Sequence, residues 1–440
     1  MIRGDTIAAI ATAPGRGGVA VIRVSGPEAF QVAEQVAGDV PQPGHVRFVR
    51  LHDSESDGRR ETRDVIDEGL LLTFRAPHSY TGEDVVEFQC HGGTVTPRRV
   101  LEACFAAGAR LARRGEFTER AFLNGKLDYD QAQSVLDLID AKTARAADAA
   151  LEGLAGRRRR ELRTLYEQAL DLSTRLEHAL DVDEGELPAG FLTSVASSVS
   201  CLRSSLRLSL RKATEGRILR TGALVVLAGP PNAGKSSLMN ALLEENRAIV
   251  SDVPGTTRDS IEEWLDLSGW PIRLVDTAGL REATDEVEGE GVKRAEELIA
   301  KADVVLGLGS LEGLGGLGGR LLEVHSKCDV ERGAGLNVSA KTGEGLDELK
   351  REIVAKLEER AGALPDDADL GDHAVAALRE ALTLLGTGEG HETGDGRREE
   401  DLVLAANSVR AAAERLGAAV GATYSSDLLD NLFSRFCVGK

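Results

Sequence analysis

Residues 229–236, which read GPPNAGKS, fit the phosphate-binding spacing G-x-x-x-x-G-K-[ST]. They follow the apolar run Ala223–Ala228 and precede the helix-forming run Ser237–Leu243, which is the strand–helix context that the pattern requires. In such a loop the backbone N–H groups face phosphate oxygens at a helix N-terminus. Lys235 can neutralise the β- and γ-phosphate charge, and Ser236 can offer its hydroxyl to Mg²⁺.

Two later segments place reactive groups in the order that a nucleotide hydrolase needs. Ile272–Val275 reads as a strand that ends in Asp-Thr-Ala-Gly at 276–279. Asp276 can join the Mg²⁺ shell, and the Gly279 N–H can sense the γ-phosphate. Pro-Gly-Thr-Thr at 254–257 lies between the two phosphate segments, where a switch threonine should close over the metal.

Two downstream segments predict guanine as the base. Ser-Lys-Cys-Asp at 326–329 and Ser-Ala-Lys at 339–341 stand where GTPases carry their guanine-reading residues. The Asp329 carboxylate can accept both N1–H and N2–H of guanine, which adenine cannot supply. GTPases usually have Asn where this chain has Ser326, and the Gly-rich stretch Leu308–Arg320 is unlike a normal strand and helix exit. We therefore predict a GTPase with weakened base holding.

The attacking water needs a partner other than the residue after Asp-x-x-Gly. That residue is Leu280, where Ras-like enzymes have Gln, and a leucine cannot polarise water. The amide oxygen of Asn232 can hold a monovalent cation against the phosphates. Glu288 can orient water through a second water, although the acidic stretch Glu282–Glu290 also fits a solvated switch segment.

The elements that must position these groups change type along the chain. We expect an N-terminal α+β domain at 1–124, helical segments at 125–220 and 365–440, and an inserted P-loop domain at 221–364. Strands that alternate with helices in the inserted part predict a Ras-like parallel sheet. The predicted fold class is therefore multidomain α/β with an all-helical domain.

Composition excludes several functional classes. The 440 residues carry a formal charge of −19, which argues against a generic nucleic-acid coat. The arginine-dense stretches Arg157–Arg163 and Arg203–Arg220 fit either a local basic patch or a solvated helix face. No apolar run reaches the ~18 residues of a membrane span, and no secretory signal opens the chain. Five scattered cysteines without a C-x-x-C pair disfavour zinc and disulfides, so we expect a reduced cytoplasmic protein.

The N-terminal part and the tail predict a second site. The stretches Asp5–Ser25, Ser79–Gly93 and Gly115–Asp128 mix Gly turns with charged residues beside apolar strands, as pockets for anionic or heteroaromatic ligands do. His91 fits either a catalytic or, more often, a structural turn histidine. The tail Phe433–Lys440 can deliver Cys437 or Lys440 into a pocket, or it can be a frayed terminus with a half-buried cysteine.

Together these segments resemble the MnmE (TrmE) family of tRNA-modification GTPases over nearly the whole chain. The matching segments are DTIAAIATAPGRGG, SYTGED, FLNGKLD, GPPNAGKSS, PGTTRD, DTAGLRE and the terminal FCVGK, where the family usually ends in FCIGK. The resemblance implies an N-terminal domain that forms a homodimer and binds 5-formyl- or 5,10-methylene-tetrahydrofolate. The matching folate positions are Arg23, Glu87, Lys126 and Lys440.

The resemblance also implies how the G domain works. The family's G domains pair across K⁺, and the matching ligands are Asn232, Ser251, Val253 and Thr256. Ser236 and Thr257 match the Mg²⁺ ligands, and Glu288 matches the acid that orients water. The family acts with an FAD-dependent partner, MnmG, to place an aminomethyl or carboxymethylaminomethyl group on C5 of the wobble uridine of tRNA. Cys437 is either a nucleophile toward C6 of uracil or a packing residue.

Motifs and resemblance together define the expected contacts with GTP. The predicted nucleotide-binding residues are Asn232, Ala233, Gly234, Lys235, Ser236, Ser237, Ser251, Thr256, Thr257, Asp276, Thr277, Ala278, Gly279, Ser326, Lys327, Asp329, Ser339, Ala340 and Lys341, with Lys235 and Glu288 as catalytic residues. Two other functions fit the same sequence. One is a ribosome-assembly GTPase that binds rRNA, and the other is a folate-dependent methyltransferase that GTP only regulates.

Overall fold

The computed structural model describes residues 4–53, 64–182, 187–246, 262–277, 288–309, 317–333, 335–363, 373–386, 398–421 and 426–440. The chain forms two compact units. The first comprises residues 1–136 and 423–440, and the second comprises residues 137–422. Within the described residues, no helix has the length and apolar character needed to cross a membrane.

The first unit contains a six-stranded sheet in the order β3-β4-β5-β2-β1-β6. Its elements are β1 (Ile7–Ile10), β2 (Val19–Ser25), α1 (Ala29–Ala37), β3 (Val46–His52), β4 (Val65–Phe74), β5 (Val85–His91), α2 (Thr96–Ala106), β6 (Arg110–Leu111), α3 (Glu116–Leu123) and α4 (Tyr129–Asp140). Alternate residues of β2, such as Ile22 and Val24, are buried with α1 and α2 in one core. Arg23, between them, belongs to the opposite face of the sheet because strand side chains alternate.

The C-terminal tail packs within the same unit. Helix α13 (Ser426–Ser434) and Phe436 join α4 in a small apolar core, and Phe436 is fully buried. The Arg114 Nε donates a hydrogen bond of 3.1 Å to the Phe436 carbonyl. Gly439 has φ +100, and a Cβ there would lie 2.3 Å from the Ile10 carbonyl oxygen, so the tail crosses β1 at a place that only glycine fits. A frayed terminus does not describe this tail.

The second unit begins with a helical bundle. Its helices are α5 (Ala144–Leu154), α6 (Arg157–Leu180), α7 (Phe191–Thr221), α11 (His373–Gly386) and α12 (Arg398–Val420). Leucines at helical spacing, such as Leu172 and Leu176 of α6 and Leu206 and Leu210 of α7, meet in one core. The apolar residues that recur at helical spacing in the sequence therefore form the core of this bundle.

A second six-stranded sheet follows α7 directly, in the order β12-β11-β10-β7-β9-β8. Its elements are β7 (Ala223–Ala228), α8 (Lys235–Asn246), β8 (Glu262–Leu267), β9 (Trp270–Asp276), α9 (Glu288–Lys301), β10 (Val304–Leu308), β11 (Leu321–Ser326), β12 (Leu336–Val338) and α10 (Leu346–Ala361). Only β8 pairs antiparallel among these described strands. Helices cover both faces, which confirms the predicted multidomain α/β class with an inserted P-loop domain.

The inserted domain is anchored where it leaves and rejoins the bundle. Asp303 is 6% exposed and accepts hydrogen bonds of 2.9 Å from Arg217 of α7 and from the Leu224 N–H of β7. The Thr214 hydroxyl donates to the carbonyl of Ala363, which follows α10, over 3.4 Å. The start of the inserted domain and its end after α10 therefore both contact the C-terminal part of α7.

The Gly-rich stretch before the guanine-reading segment is only partly irregular. Leu308, the first residue of this stretch, is the last residue of strand β10, which pairs with β7 and β11. The stretch therefore begins within a regular strand. Residues Gly318–Arg320 form one 3-10 turn in place of a full helix, immediately before β11. Residues 310–316 lie outside the described part of the chain.

Candidate functional site

The predicted phosphate loop lies between β7 and α8, at the carboxyl end of the central strand. Gly229 has φ +151, and a Cβ there would lie 2.2 Å from the Leu308 carbonyl oxygen of the neighbouring strand. Gly234 has φ +92, a conformation that side chains disfavour. The two glycines of the motif are therefore required by the path of the backbone.

Lys235 organises this loop from the inside. Its side chain belongs to a residue only 4% exposed, and its Nζ donates to the carbonyls of Gly229 (3.0 Å) and Pro230 (2.8 Å). The ammonium group thus lies against two backbone carbonyls of the loop, where it can contact phosphate oxygens that bind to the same loop.

Ser236, one of the two predicted Mg²⁺ ligands, lies beside Asp276, which is predicted to join the shell of the ion. The Ser236 hydroxyl donates to Asp276 Oδ2 over 2.6 Å, because β9 runs beside β7 and ends next to the start of α8. A hydroxyl and a carboxylate are oxygen donors of the type that Mg²⁺ prefers. Thr277 behaves differently, since its buried hydroxyl donates to the Leu227 carbonyl and ties β9 to β7.

The guanine-reading segment is connected to the phosphate loop. The Ser326 hydroxyl donates to the Ala233 carbonyl, and the Lys327 Nζ donates to the Asn232 carbonyl over 2.9 Å. Ser326, which stands where GTPases usually have Asn, therefore still links the guanine-reading segment to the phosphate loop through its side chain. Sequence reasoning missed this link because it depends on the three-dimensional approach of residues 93 positions apart.

Asp329 is prepared as a carboxylate. The Ser339 hydroxyl donates to its Oδ1 over 2.7 Å. This hydrogen bond, supported by the charges of Lys341 and Lys327, lowers the pKa of Asp329 below its ordinary value. The segment is held by the Cys328 N–H, which donates to the Val338 carbonyl of β12. Asp329 is therefore in direct contact with Ser339 and is influenced by the charge of Lys341, with Ala340 between the latter two in the chain. Ser237 is exposed on α8, beside the phosphate loop.

Part of the predicted G-domain site lies outside the described residues. These positions are Ser251, Val253, Thr256, Thr257, Ala278 and Gly279. Glu288 is the first residue of α9, and its side chain is also outside the described part. Among the predicted K⁺ ligands the structure describes only Asn232, and of the two predicted Mg²⁺ ligands it describes only Ser236.

A second group of predicted residues meets on the open face of the first sheet. Arg23 of β2 and Glu87 of β5 are direct cross-strand partners, with 2.7 Å between Nε and Oε1. The side chains are 18% and 16% exposed. The Arg23 guanidinium carbon lies 5.2 Å from the ring centre of Tyr80 and 5.7 Å from that of Phe117. Charge and aromatic surface thus lie within one small area.

Buried ion pairs hold the walls of this area. Arg120 of α3 donates to Asp5 (2.8 Å) and to Glu83 (3.0 Å), and it also reaches Glu116. Burial alone would raise the pKa of Glu116, but hydrogen bonds from Arg110, the Arg113 backbone and Arg120 lower it to about 2. The network fixes α3, and with it Phe117, against the strands. Sequence reasoning identified the stretches but missed Tyr80, Phe117 and Arg120.

The tail brings the last predicted residue to the same area. The Phe117 N–H donates to the Lys440 carbonyl over 3.2 Å. The Lys126 Nζ donates to the Pro77 carbonyl over 3.1 Å, in the turn that precedes Tyr80. Cys437 is exposed, and its carbonyl is 3.4 Å from the Lys440 N–H. The backbone of Lys440 is thus tied to Phe117, and the side chain of Lys126 is tied to the turn before Tyr80, the two aromatic residues beside Arg23.

His91 at the end of β5 is paired with Asp67 of β4. Its Nδ1 lies 2.8 Å from Asp67 Oδ1, and its backbone N–H donates to the same carboxylate. Hydrogen bonds from His91 lower the pKa of Asp67 although burial opposes this shift. In the described chain no three His, Cys, Asp or Glu side chains group as metal ligands.

Comparison with known proteins identifies relatives over the whole chain. Residues 6–126 match the family described as the GTP-binding protein TrmE N-terminus, and residues 130–437 match the MnmE helical domain. The protein named tRNA modification GTPase MnmE from Symbiobacterium thermophilum is 44% identical and covers 99% of each chain. Its counterpart from Azoarcus sp. (strain BH72) is 41% identical over 99% of this chain and 98% of that protein.

A solved structure is similar to part of the chain. The G domain of the T. maritima FeoB iron transporter is 28% identical, covering 31% of this chain and 98% of that chain, with a TM-score of 0.24.

We predict that Ser326→Ala weakens nucleotide binding without changing the preference for guanine. Loss of one neutral hydrogen bond costs about 1 kcal/mol, so the Kd for both GTP and GDP should rise roughly fivefold. Ser326→Asn should restore the affinity, because its amide N–H can donate to the same Ala233 carbonyl. Calorimetric titration of the three proteins measures this, and equal Kd values for Ser326→Ala and the parent would contradict it.

Proposed function

The chain belongs to the MnmE family of tRNA modification GTPases and is a GTP hydrolase, and from that premise we propose a K⁺-stimulated enzyme of tRNA wobble-uridine modification. With an FAD-dependent partner, MnmG, it installs aminomethyl or carboxymethylaminomethyl groups at C5 of that uridine. The carbon comes from a tetrahydrofolate one-carbon unit. The convergence of Lys235, Ser236, Asp276 and Lys327 on one loop carries the GTPase part of this proposal.

The described residues suit Mg²⁺-assisted GTP binding. Asp329 accepts the two guanine N–H groups as an ionised carboxylate, because Ser339 stabilises that form. Lys235 exchanges its loop carbonyls for phosphate oxygens of the nucleotide. Ser236, together with Thr257, would hold Mg²⁺, which neutralises phosphate charge when bound. The 2.6 Å contact of Ser236 with Asp276 supports this placement, since a carboxylate beside the hydroxyl favours a divalent cation.

Residues other than a glutamine polarise the attacking water in the proposed mechanism. Leu280 cannot polarise water, so Glu288 orients the attacking water from the start of α9. Asn232 would hold K⁺ together with Ser251, Val253 and Thr256, and bound K⁺ supplies positive charge at the phosphates. Asn232 has φ +63 and lies at the exposed rim of the loop, where a side-chain oxygen can approach a nucleotide.

The first unit has the groups that a folate requires. The Arg23 guanidinium suits a carboxylate, and the Glu87 carboxylate suits the donor edge of a pterin. Tyr80 and Phe117 add aromatic surface beside Arg23. Lys126 and Lys440 complete the proposed folate set. The exposed thiol of Cys437 stays a candidate nucleophile, with packing as the alternative.

The open face of the first sheet supports the proposed homodimer. Strand β3 is an edge strand, and it exposes Val46 (57%) and Phe48 (67%). Leu70 of β4 pairs directly with Phe48 and is 38% exposed. An apolar edge of this kind is usually covered in the native assembly. We therefore propose that a second copy of the chain packs on this face.

We predict that K⁺ accelerates GTP turnover at least about tenfold over Na⁺ at matched ionic strength, because a cation at the phosphates stabilises the transition state. Steady-state phosphate release in KCl and in NaCl measures this ratio. Asn232→Ala should bring the ratio close to one. Asn240→Ala, at an exposed position of α8, is the matched control and should keep the ratio of the parent. Equal rates in both salts for the parent would contradict the K⁺ proposal.

We also predict that Arg23→Gln weakens binding of 5-formyl-tetrahydrofolate by roughly tenfold or more, since a charged hydrogen bond contributes about 1.5–3 kcal/mol. Calorimetric titration measures the Kd. Arg99→Gln is the matched control, because Arg99 lies on α2, which covers the opposite face of the sheet, and pairs with Asp53. A Kd unchanged by Arg23→Gln, in a protein with the parent's Tm, would remove Arg23 from the folate site.

A further inference from the structure

Both tryptophans of the chain lie in one hairpin of the G domain. Strands β8 and β9 pair antiparallel, and a two-residue turn of Ser268 and Gly269 joins them. The two turn residues have φ +53 and +87, the positive values that a tight hairpin turn requires. Trp264 lies within β8, and Trp270, which is 1% exposed, is the first residue of β9.

The turn of this hairpin contacts the start of helix α5. Thr143 is the N-cap of α5 and is 6% exposed. Its hydroxyl accepts a hydrogen bond of 3.2 Å from the Ala146 N–H and donates one of 2.8 Å to the Gly269 carbonyl. A Cβ on Gly269 would lie 3.2 Å from the Cβ of Arg145, so the turn and the helix approach closely. One side chain therefore both caps α5 and holds the hairpin turn.

Trp270 extends this contact to a second helix of the bundle. The Arg145 guanidinium carbon lies 4.0 Å from the centre of its ring, and the Arg145 Nη2 donates to Glu215 of α7 over 2.6 Å. A cation over an indole ring is attractive. Within the described residues, however, the buried Trp270 Nε1 has no hydrogen-bond acceptor, and burial of such a donor is unfavourable. Stabilising and destabilising contributions thus meet at one turn.

The other end of the hairpin lies at the nucleotide site. Strand β9 continues for seven residues and ends at Asp276, which accepts the hydrogen bond from Ser236. In the sequence, β8 begins at Glu262, shortly after the predicted switch residue Thr257. Paired strands are rigid elements, and such elements can carry energetic coupling between two sites. The hairpin therefore joins the proposed metal site to the start of α5.

We propose that the β8–β9 hairpin is a conformational link through which the bound nucleotide changes the contact of the turn with Thr143 and Arg145. The inference uses guanine-nucleotide binding by the G domain, and it does not depend on the wobble-uridine chemistry. Coupling is reciprocal, so a contact that responds to the nucleotide must also bias the choice between GDP and GTP. A contact with a structural role alone stabilises both nucleotide states equally and leaves that choice unchanged.

Two substitutions of Thr143 separate the contact with the turn from the capping of α5. Thr143→Ser and Thr143→Asp both keep a side-chain oxygen that caps the helix, but an ionised Asp cannot donate to the Gly269 carbonyl. Calorimetric titration gives the Kd for GDP and for a non-hydrolysable GTP analogue in Mg²⁺ and KCl. We expect Thr143→Asp to change the ratio of the two Kd values by roughly fivefold or more. Thr143→Ser should keep the ratio of the parent.

Arg145→Met tests the same contact without touching the cap. It should change the ratio in the same direction as Thr143→Asp. Arg163→Met is the matched control, because Arg163 is an exposed arginine of α6 that also pairs with a glutamate, Glu167. Measurement of Tm reports that each variant is folded. An unchanged ratio in folded Arg145→Met would overturn the proposal.

The fluorescence of Trp270 gives a readout that is independent of affinity. Trp264→Phe leaves Trp270 as the single tryptophan of the chain. Its emission should differ between the GDP complex and the complex with the GTP analogue, because the position of Arg145 over the ring changes. Identical spectra would overturn the inference and leave the GTPase assignment intact. A parent that binds neither nucleotide would overturn both.

Discussion

The buried carboxylate of Asp303 holds the G domain to the helical bundle. It accepts hydrogen bonds from Arg217 of α7 and from the Leu224 N–H of β7, and the Arg360 Nε at the end of α10 lies 3.9 Å from its Oδ1. The chain therefore leaves and rejoins the bundle at one place. A second contact comes from the β8–β9 turn, where Gly269 accepts a hydrogen bond from Thr143 and the Arg145 guanidinium lies 4.0 Å from the Trp270 ring centre. Strand β9 therefore runs from this contact to Asp276 at the proposed metal site.

The first unit depends on an equivalent buried charge. Arg120 connects Asp5 before β1, Glu83 beside Tyr80 and Glu116 of α3, so three segments that are far apart in sequence share one guanidinium. Removing a partner from such a network leaves a buried charge unpaired, which is strongly destabilising. The network and the packed tail bring Arg23, Glu87 and Lys440 to one area. The proposed folate chemistry thus relies on long-range contacts, whereas the phosphate loop relies mainly on local backbone geometry.

Local pattern was enough to predict the elements and the phosphate loop. The run Ala223–Ala228 is a fully buried strand, and the two glycines of the loop have the conformations that the motif requires. The same reasoning could not find the hydrogen bond from Ser326 to Ala233, because these residues are 93 positions apart. It also could not find the hydrogen bond from Arg114 to the Phe436 carbonyl of the tail, which joins residues 322 positions apart. The Thr277 hydroxyl donates to the Leu227 carbonyl, and its contact with the nucleotide stays a prediction. The boundaries at 124, 220 and 364 and the ligands on undescribed segments stay predictions.

We propose that GTP hydrolysis by this chain is coupled to chemistry on the wobble uridine. The most direct measurement is mass spectrometry of tRNA nucleosides after incubation with the protein, its FAD-dependent partner, a tetrahydrofolate donor and an amine. We expect the C5-modified uridine to form with GTP, and to be lost both with a non-hydrolysable analogue and with Lys235→Ala. Undiminished product under either of those conditions would contradict the account, because GTP would then be at most a regulator.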